Sequence, residues 1–405
     1  MMGVYWPWTC QPTLCRQDSL IESQMQQSIT LFGDGVGQPA PGGALEGLPL
    51  LPEQTYLPDA YRLPDGLARG PIMANTPRVV FIEVTNRCNL LCETCPRTYF
   101  TREPLKSLTY DEFLVIAEQF PEMRRCTLHG IGEPLLNRAL PRMIAYLKAR
   151  GVEVLFNSNG ALLTSAWQEA LVRSGLDEFR CSIDGAQPAT YARIRGADVL
   201  HKVIRGLEGL AKTKTRLGAT APRVSIWCVA TRENLAELPD LVRLAARLAV
   251  PEVYLQRMVF FASEPEAQYG MAREALAVFD TALAQQEEVI AACEALSVQL
   301  GVAFRASGAR DARDSLAAQR SREAAPWRAC LRPWTTAYVT ANGNCLPCCI
   351  SPFTTSDYGS LILGNLFERP FIELWNDAAY QQFRTRLLTT QPHKACANCG
   401  VAWSL

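Results

Sequence analysis

Between residues 78 and 260, short apolar runs alternate with amphipathic stretches about six times, and this alternation constrains the fold more than any other feature. The run RVVFIEVT at Arg78–Thr85 reads as a buried strand. Thr109–Phe120 reads as a helix, opened by a capping box in which Glu112 follows Thr109 at the third position. Further strands are expected at 126–128, 152–157, 178–183, 223–229 and 252–257. Helices are expected at 137–150, 165–174, 188–213 with a break near Gly196, and 234–248; Gly151 and Gly175 stop two of them. The pattern implies an α/β fold, a parallel sheet curled into a partial (β/α)6 TIM-like barrel. Its chemistry belongs in the loops that follow the C-terminal ends of the strands.

A helical stretch at about 271–300 and a short strand at 301–305 complete a core expected over 77–310. Residues 1–76 form an N-terminal extension: 15 of the 39 residues from Gly33 to Pro71 are Gly or Pro, which marks a linker or wrapping arm. Residues 17–30 are polar with some helical character, and no function attaches to the extension. The last segment, about 326–405, is rich in cysteine, with short strands, turns and one helix near 370–388. A segment this small is commonly stapled by metal.

Forty basic and forty acidic side chains cancel, so no basic surplus marks a nucleic-acid partner. No apolar run reaches about eighteen residues, which argues against a membrane span. No basic residue precedes Arg16, so the N-terminus does not read as a signal peptide. A soluble, cytoplasmic protein is expected.

Fifteen cysteines in such a chain argue against a disulfide framework. They clump at Cys88, Cys92 and Cys95, at Cys330, Cys345, Cys348 and Cys349, and at Cys396 and Cys399. Clumped thiols in a reducing compartment hold metal. With only three histidines in the chain, any such site is built mainly from sulfur.

Cys88-x3-Cys92-x2-Cys95 follows the first strand directly. Three thiolates on one loop can hold three irons of a cubane and leave the fourth without a protein ligand, whereas closed clusters take four cysteines. A structural zinc loop completed by a distant cysteine is the alternative. After the second strand come His129, Gly130, Ile131, Gly132, Glu133 and Pro134. The glycines allow close backbone approach, and Glu133 offers a carboxylate to an amino group. Asn157-Ser158-Asn159-Gly160 ends the third strand, and Ser182-Ile183-Asp184-Gly185 the fourth. Each cluster alone reads as a turn; four at successive strand ends line one barrel mouth.

These residues resemble the radical S-adenosylmethionine (SAM) superfamily over about 78–260. The resemblance implies that Cys88, Cys92 and Cys95 hold a 4Fe–4S cluster, and that Gly130, Gly132 and Glu133 receive the methionine amino group of S-adenosylmethionine. It places Asn159, Ser182 and Asp184 by the ribose and the methionine carboxylate. Arg195 is the expected carboxylate partner, with Arg193 second. The family often has an aromatic residue before the third cysteine, touching adenine; here that position is Thr94.

The C-terminal segment is similar to the SPASM extension in a shortened form. Cys330, Gly343, Cys348, Gly364-Asn365-Leu366, Trp375 and Cys396-x2-Cys399 carry the likeness. It implies a second, auxiliary 4Fe–4S cluster on Cys330, Cys348, Cys396 and Cys399, with Cys345 and Cys349 as neighbours able to substitute. A zinc ribbon is the alternative.

The resemblance further implies an enzyme supplied with electrons by a flavodoxin- or ferredoxin-like donor. It cleaves S-adenosylmethionine reductively to a 5′-deoxyadenosyl radical and removes a hydrogen atom from a substrate C–H bond. The expected substrate is a small polar or sugar-like metabolite undergoing oxidation, epimerisation or dehydration; peptide or protein modification is the runner-up. A non-catalytic iron–sulfur or zinc scaffold is a remote alternative. Cys181 and Cys228, on strands, are candidates for a barrel-facing thiol that returns a hydrogen atom, and His129 for proton transfer at the mouth. His201 and His393 carry no role.

Overall fold

The computed structural model of the protein describes residues 63, 66–258, 283–306, 327, 330–353 and 357–397. The expectations for residues 1–62 and 271–282, and for Cys399, lie outside the described residues.

The strands are β1 (Val79–Ile82), β2 (Arg125–Thr127), β3 (Glu153–Ser158), β4 (Glu178–Ser182), β5 (Arg223–Ala230), β6 (Glu252–Arg257) and β7 (Ala303–Ala306). The helices between them are α1 (Tyr110–Ala117), α2 (Leu140–Ala149), α3 (Ser165–Arg173), α4 (Pro188–Arg195), α5 (Leu200–Arg216), α6 (Leu238–Arg247) and α7 (Leu283–Leu300). All seven strands pair in parallel with their sequence neighbours. The capping box forms: Thr109 Oγ1 accepts from Glu112 N, and the Glu112 carboxylate accepts from Thr109 N. On α2 the buried residues are Leu140, Met143, Ile144 and Leu147, one stripe at helical spacing turned to the sheet.

The C-terminal segment adds α8 (Arg332–Thr335), β8 (Thr336–Val339), β9 (Cys345–Leu346), α9 (Phe371–Leu374), α10 (Ala378–Leu387) and α11 (Lys394–Ala397). β8 pairs in parallel with β1, with Phe81 opposite Tyr338, so the nine-stranded sheet runs β7-β6-β5-β4-β3-β2-β1-β8-β9. The one helix expected near 370–388 is two. Asp377 interrupts it, and its carboxylate accepts from Ala379 N and Tyr380 N to cap α10. The fully buried Arg384 guanidinium, 4.0 Å over the Trp375 ring, donates to the carbonyls of Pro71, Pro333 and Trp375. It ties residues 70–76 to this segment.

Successive strand side chains face opposite ways. Cys126, Val154, Phe156, Phe179, Cys181, Ile226, Cys228 and Leu255 have no exposed surface and belong to the core shared with the helices. Cys181 sits beside Gly160 and Val203 of α5, and Cys228 lies 3.6 Å from Asn234 Nδ2 and near Cys293 of α7. Both candidate hydrogen-donor thiols therefore face the helix layer, not the inside of the barrel. Burial pushes both thiols up, Cys181 to about 12.

The inner face carries the other parity. At its lower end it is ionic: Glu178 pairs with Arg180 at 3.0 Å and Arg223 at 2.7 Å, and Glu252 pairs with Arg223 at 3.1 Å. Above these pairs come aromatic rings. Arg180 lies 4.2 Å over Trp227, Trp227 stacks on Tyr254 at 4.0 Å, and Phe81 contacts both His129 and Tyr338. The mouth above this layer holds the site.

Candidate active site

The loop after β1 is clamped before it reaches its cysteines. Asn86 donates from Nδ2 to Pro104 O and accepts from Lys106 N, and Thr85 Oγ1 lies 2.7 Å from Ser107 Oγ. Arg97 then reaches back and donates to Cys88 O at 3.3 Å and Leu90 O at 2.9 Å. Cys95 N donates to Cys92 O at 3.1 Å, which closes the turn between the second and third thiols. Glu93 N donates to Ile194 O, docking the loop on the end of α4. There Gly196 takes a left-handed φ of 72°, and a Cβ would stand 2.4 Å from Leu91 O.

Two side chains bring N–H groups to the sulfurs. Asn159 Nδ2 is 4.0 Å from Cys88 Sγ and donates to Asn89 Oδ1 at 2.9 Å. Arg195 Nη1 is 3.9 Å from Cys92 Sγ, and its Nε is 2.7 Å from Asp184 Oδ2, a close ion pair without the alignment of a hydrogen bond. Asp184 is 1% exposed and also accepts from Val229 N at 2.8 Å. Burial pushes its carboxyl up while Arg195 pulls it back, and Asp184 in turn holds the buried guanidinium protonated. Arg193, the second candidate, turns outward and pairs with Glu233 at 2.8 Å. Ser182 lies half-buried at the end of β4 on the inner parity, and Thr94 is buried.

The segment after β2 lies flat on the extension of β1, which is why it needs glycine. A Cβ on Gly132 would stand 2.0 Å from Thr85 O, and one on Gly130 would stand 2.2 Å from Glu83 Oε1 and 2.5 Å from Tyr338 Oη. Glu133, expected to offer its carboxylate to an amino group, is 2% exposed and already accepts three donors of the chain. These are Ser158 Oγ at 2.7 Å, Asn159 N at 2.8 Å and Leu135 N at 3.0 Å. It staples the Gly130–Pro134 segment to the end of β3. Burial pushes its carboxyl up despite those donors. His129 is pushed down to about 4 by burial and by Arg180, so it is neutral at pH 7.

Burial favours the neutral form of two of the loop's thiols. Burial, with Cys92 beside it, pushes Cys95 up to about 12; Cys88 is also raised by burial, with Glu133 and Cys92 adding to the rise. A bound metal reverses that balance and deprotonates coordinating thiols. Three soft sulfur donors, with no imidazole among them, match the ligand chemistry of iron–sulfur clusters.

In the C-terminal segment, Cys348 lies close enough to Cys330 and Cys349 to act on both. Cys330 is pushed up to about 12 by burial with Cys348 and Cys349 adding, and Cys349 to about 11 by burial with Cys348 adding. Cys345 is different: it is a strand residue of β9 with no exposed surface, hydrogen-bonded through its backbone to Gly364 and Leu363. Cys396 is half-buried in α11. Among the described residues no three His, Cys, Asp or Glu side chains form a set for a single metal ion, and no helix is long and apolar enough to cross a membrane.

Residues 82–245 match the family model of the radical SAM superfamily, and residues 330–400 match that of the SPASM iron–sulfur cluster-binding domain. The chain belongs to the radical SAM superfamily. Its radical SAM domain takes a 4Fe–4S cluster and S-adenosylmethionine, and its SPASM domain takes auxiliary iron–sulfur chemistry. The chain is 30% identical over 185 residues to the tungsten-containing aldehyde ferredoxin oxidoreductase cofactor-modifying protein of Pyrococcus furiosus. That match covers 45% of this chain and spans about half, 52%, of the relative. It is 24% identical to the AdoMet-dependent heme synthase of Methanosarcina barkeri, over 81% of this chain and 89% of that one. Among solved structures, Streptococcus suis SuiB bound to its precursor peptide SuiA shares the fold with a TM-score of 0.58 and 14% identity, covering 92% of this chain and 80% of that one.

Sequence reasoning missed Arg97, Asn89, Glu83 and Tyr338. Glu83 did carry a signal: it is the one acid inside the apolar run RVVFIEVT. Tyr338 carried none, because only the β1–β8 pairing brings it to the mouth.

Proposed function

We propose that this radical SAM protein removes a hydrogen atom from a C–H bond of a small polar or sugar-like metabolite. Cys88, Cys92 and Cys95 would hold the catalytic cluster, and Gly130, Gly132, Asn159, Ser182, Asp184 and Arg195 would surround S-adenosylmethionine. When bound, these groups supply a carbon-centred radical able to attack an unactivated C–H bond. The residues of the chain do the positioning. Asp184 fixes Arg195 against Cys92, Glu133 fixes the Gly130–Pro134 segment against β3, and Arg97 holds the carbonyls of the cysteine loop. Cys330, Cys348, Cys396 and Cys399 would hold the auxiliary cluster, and a flavodoxin- or ferredoxin-like protein would supply electrons.

One observation carries this reading: of three thiols on a single clamped loop, Cys88 receives an N–H group from Asn159 and Cys92 one from Arg195, side chains that follow two other strands. A small substrate is supported by the likeness to the heme synthase, which spans most of both chains. Peptide modification is the second reading, supported by the fold shared with SuiB, which binds a precursor peptide.

Anaerobic reconstitution tests the proposal. The protein should take up about eight irons, as two cubanes of about four, and convert S-adenosylmethionine to 5′-deoxyadenosine with dithionite. A protein that holds zinc alone and leaves the cofactor intact overturns it. Gene neighbours for a sugar pathway or a small peptide separate the two substrate readings.

A further inference from the structure

At the seam between the barrel mouth and the C-terminal segment lies a cavity of about 160 Å³. Its walls include Glu83, Asn86, Phe100, Arg102, Tyr338 and Tyr358, so both the radical SAM domain and the SPASM domain contribute. We propose that this cavity is the substrate subsite and that Glu83, with the Tyr338 hydroxyl beside it, receives a protonated amino group of the substrate. The inference rests on the function proposed above and gives its substrate a chemical class.

Glu83 follows β1 directly and is 3% exposed. Its Oε1 accepts from Ile131 N at 2.8 Å and lies 3.4 Å from Tyr338 Oη; its Oε2 accepts from Ala341 N at 3.2 Å. A carboxylate accepts at about four sites, so this network leaves one open. No ion pair forms on Glu83 among the described residues. Buried carboxylates are ordinarily paired, so an unmatched one on a cavity wall is a site for a cation.

The other charges on the cavity are committed elsewhere. Arg97 donates to Cys88 O and Leu90 O, and Arg102 donates to Pro352 O while lying 5.3 Å from the centres of both the Phe100 and Tyr358 rings. Glu103 accepts from Asn342 Nδ2, Asn344 Nδ2 and Tyr358 Oη, all within 3.0 Å. Glu103 is also the charge that acts on Glu83, and it adds to the negative field. Without a cation, burial pushes Glu83 up to about 7. An ammonium group beside it would draw it back to the ionised form.

The amino group can belong to a small metabolite or to a lysine side chain, and the test separates these sources. Reconstituted holoenzyme is titrated by calorimetry with ethanolamine, N-acetyl-lysine amide, ethylene glycol and acetate, at about pH 8 and about pH 6. At the higher pH one of the amines should bind about tenfold tighter than both glycol and acetate, the worth of one charge-assisted hydrogen bond. The tighter amine identifies the source. Its affinity should fall about tenfold at the lower pH as Glu83 takes a proton. Glu83→Gln keeps an acceptor for Ile131 N and should lose both the amine preference and its pH dependence. If that variant does not fold, Tyr338→Phe should lower amine affinity about fivefold and leave the pH dependence intact. Acetate or glycol binding as tightly as the amines, or a preference that survives Glu83→Gln, overturns the inference. Binding is read without turnover, so an enzyme inert to S-adenosylmethionine would sink the proposed function and leave this result standing.

Discussion

Arg195 joins Asp184 to Cys92: its Nε stands 2.7 Å from the Asp184 carboxylate and its Nη1 3.9 Å from the Cys92 sulfur. The ion pair is buried, with side-chain exposures of 12% and 1%. Through it, the end of β4 sets the position of a cation against the cysteine loop. A buried pair is weak evidence for net stability, but breaking one strands the surviving charge.

Asp184→Asn should therefore destabilise the protein by about 3 kcal/mol, because Arg195 remains buried and unmatched. The double variant Asp184→Asn, Arg195→Met should recover part of that loss in denaturant titrations. A single variant as stable as the wild type would show that the pair is not coupled to folding.

Gly132→Ala should cost about 2 kcal/mol or more, since the new methyl meets the Thr85 and Arg87 carbonyls, which are backbone atoms that cannot swing away. Binding of S-adenosylmethionine, followed by equilibrium dialysis, should weaken with it. Gly151→Ala is the control: its φ is 71° but nothing lies within 4 Å, so only about 1 kcal/mol of backbone strain is expected.

Glu83 gives a pH prediction with a definite sign. Its folded pKa, about 7, lies above the ordinary 4.5, so the folded state holds the proton more tightly than the unfolded chain. Its contribution to stability is full below about pH 4.5 and is lost as the pH rises towards about 7, a total of about 3 kcal/mol. His129, lowered to about 4, works in the opposite direction over part of the same range, so the comparison is with Glu83→Gln. Infrared difference spectra of the substrate-free protein should show a carboxylic-acid C=O band that titrates near 7 and is missing in the variant. A band already gone at about pH 5 would contradict this.

The elements of the core were legible because their apolar periods and stop signals are local; the Thr109–Glu112 box and the glycines at 151 and 175 are examples. What failed was what depends on distant pairing. The short strand β8 joins β1 across about 250 residues, and nothing in its four-residue run specifies that partner. The facing of Cys181 and Cys228 was hidden for another reason. A parallel sheet is covered on one side by helices and here lined on the other by rings and ion pairs, so its strands show no clean alternation. Arg195 and Arg193 are two residues apart on one helical turn, which sends one to the loop and the other to Glu233.

The proposed function requires that the three thiols after β1 leave a cluster corner for S-adenosylmethionine. Electron–nuclear double resonance on the reduced Cys396→Ala protein, with the cofactor labelled by 15N at its amino group, tests it most directly. A resolved coupling between that nitrogen and the cluster spin, abolished by Cys92→Ala, is the predicted result. A cluster that forms on Cys88, Cys92 and Cys95 but shows no coupling at saturating cofactor would contradict the account.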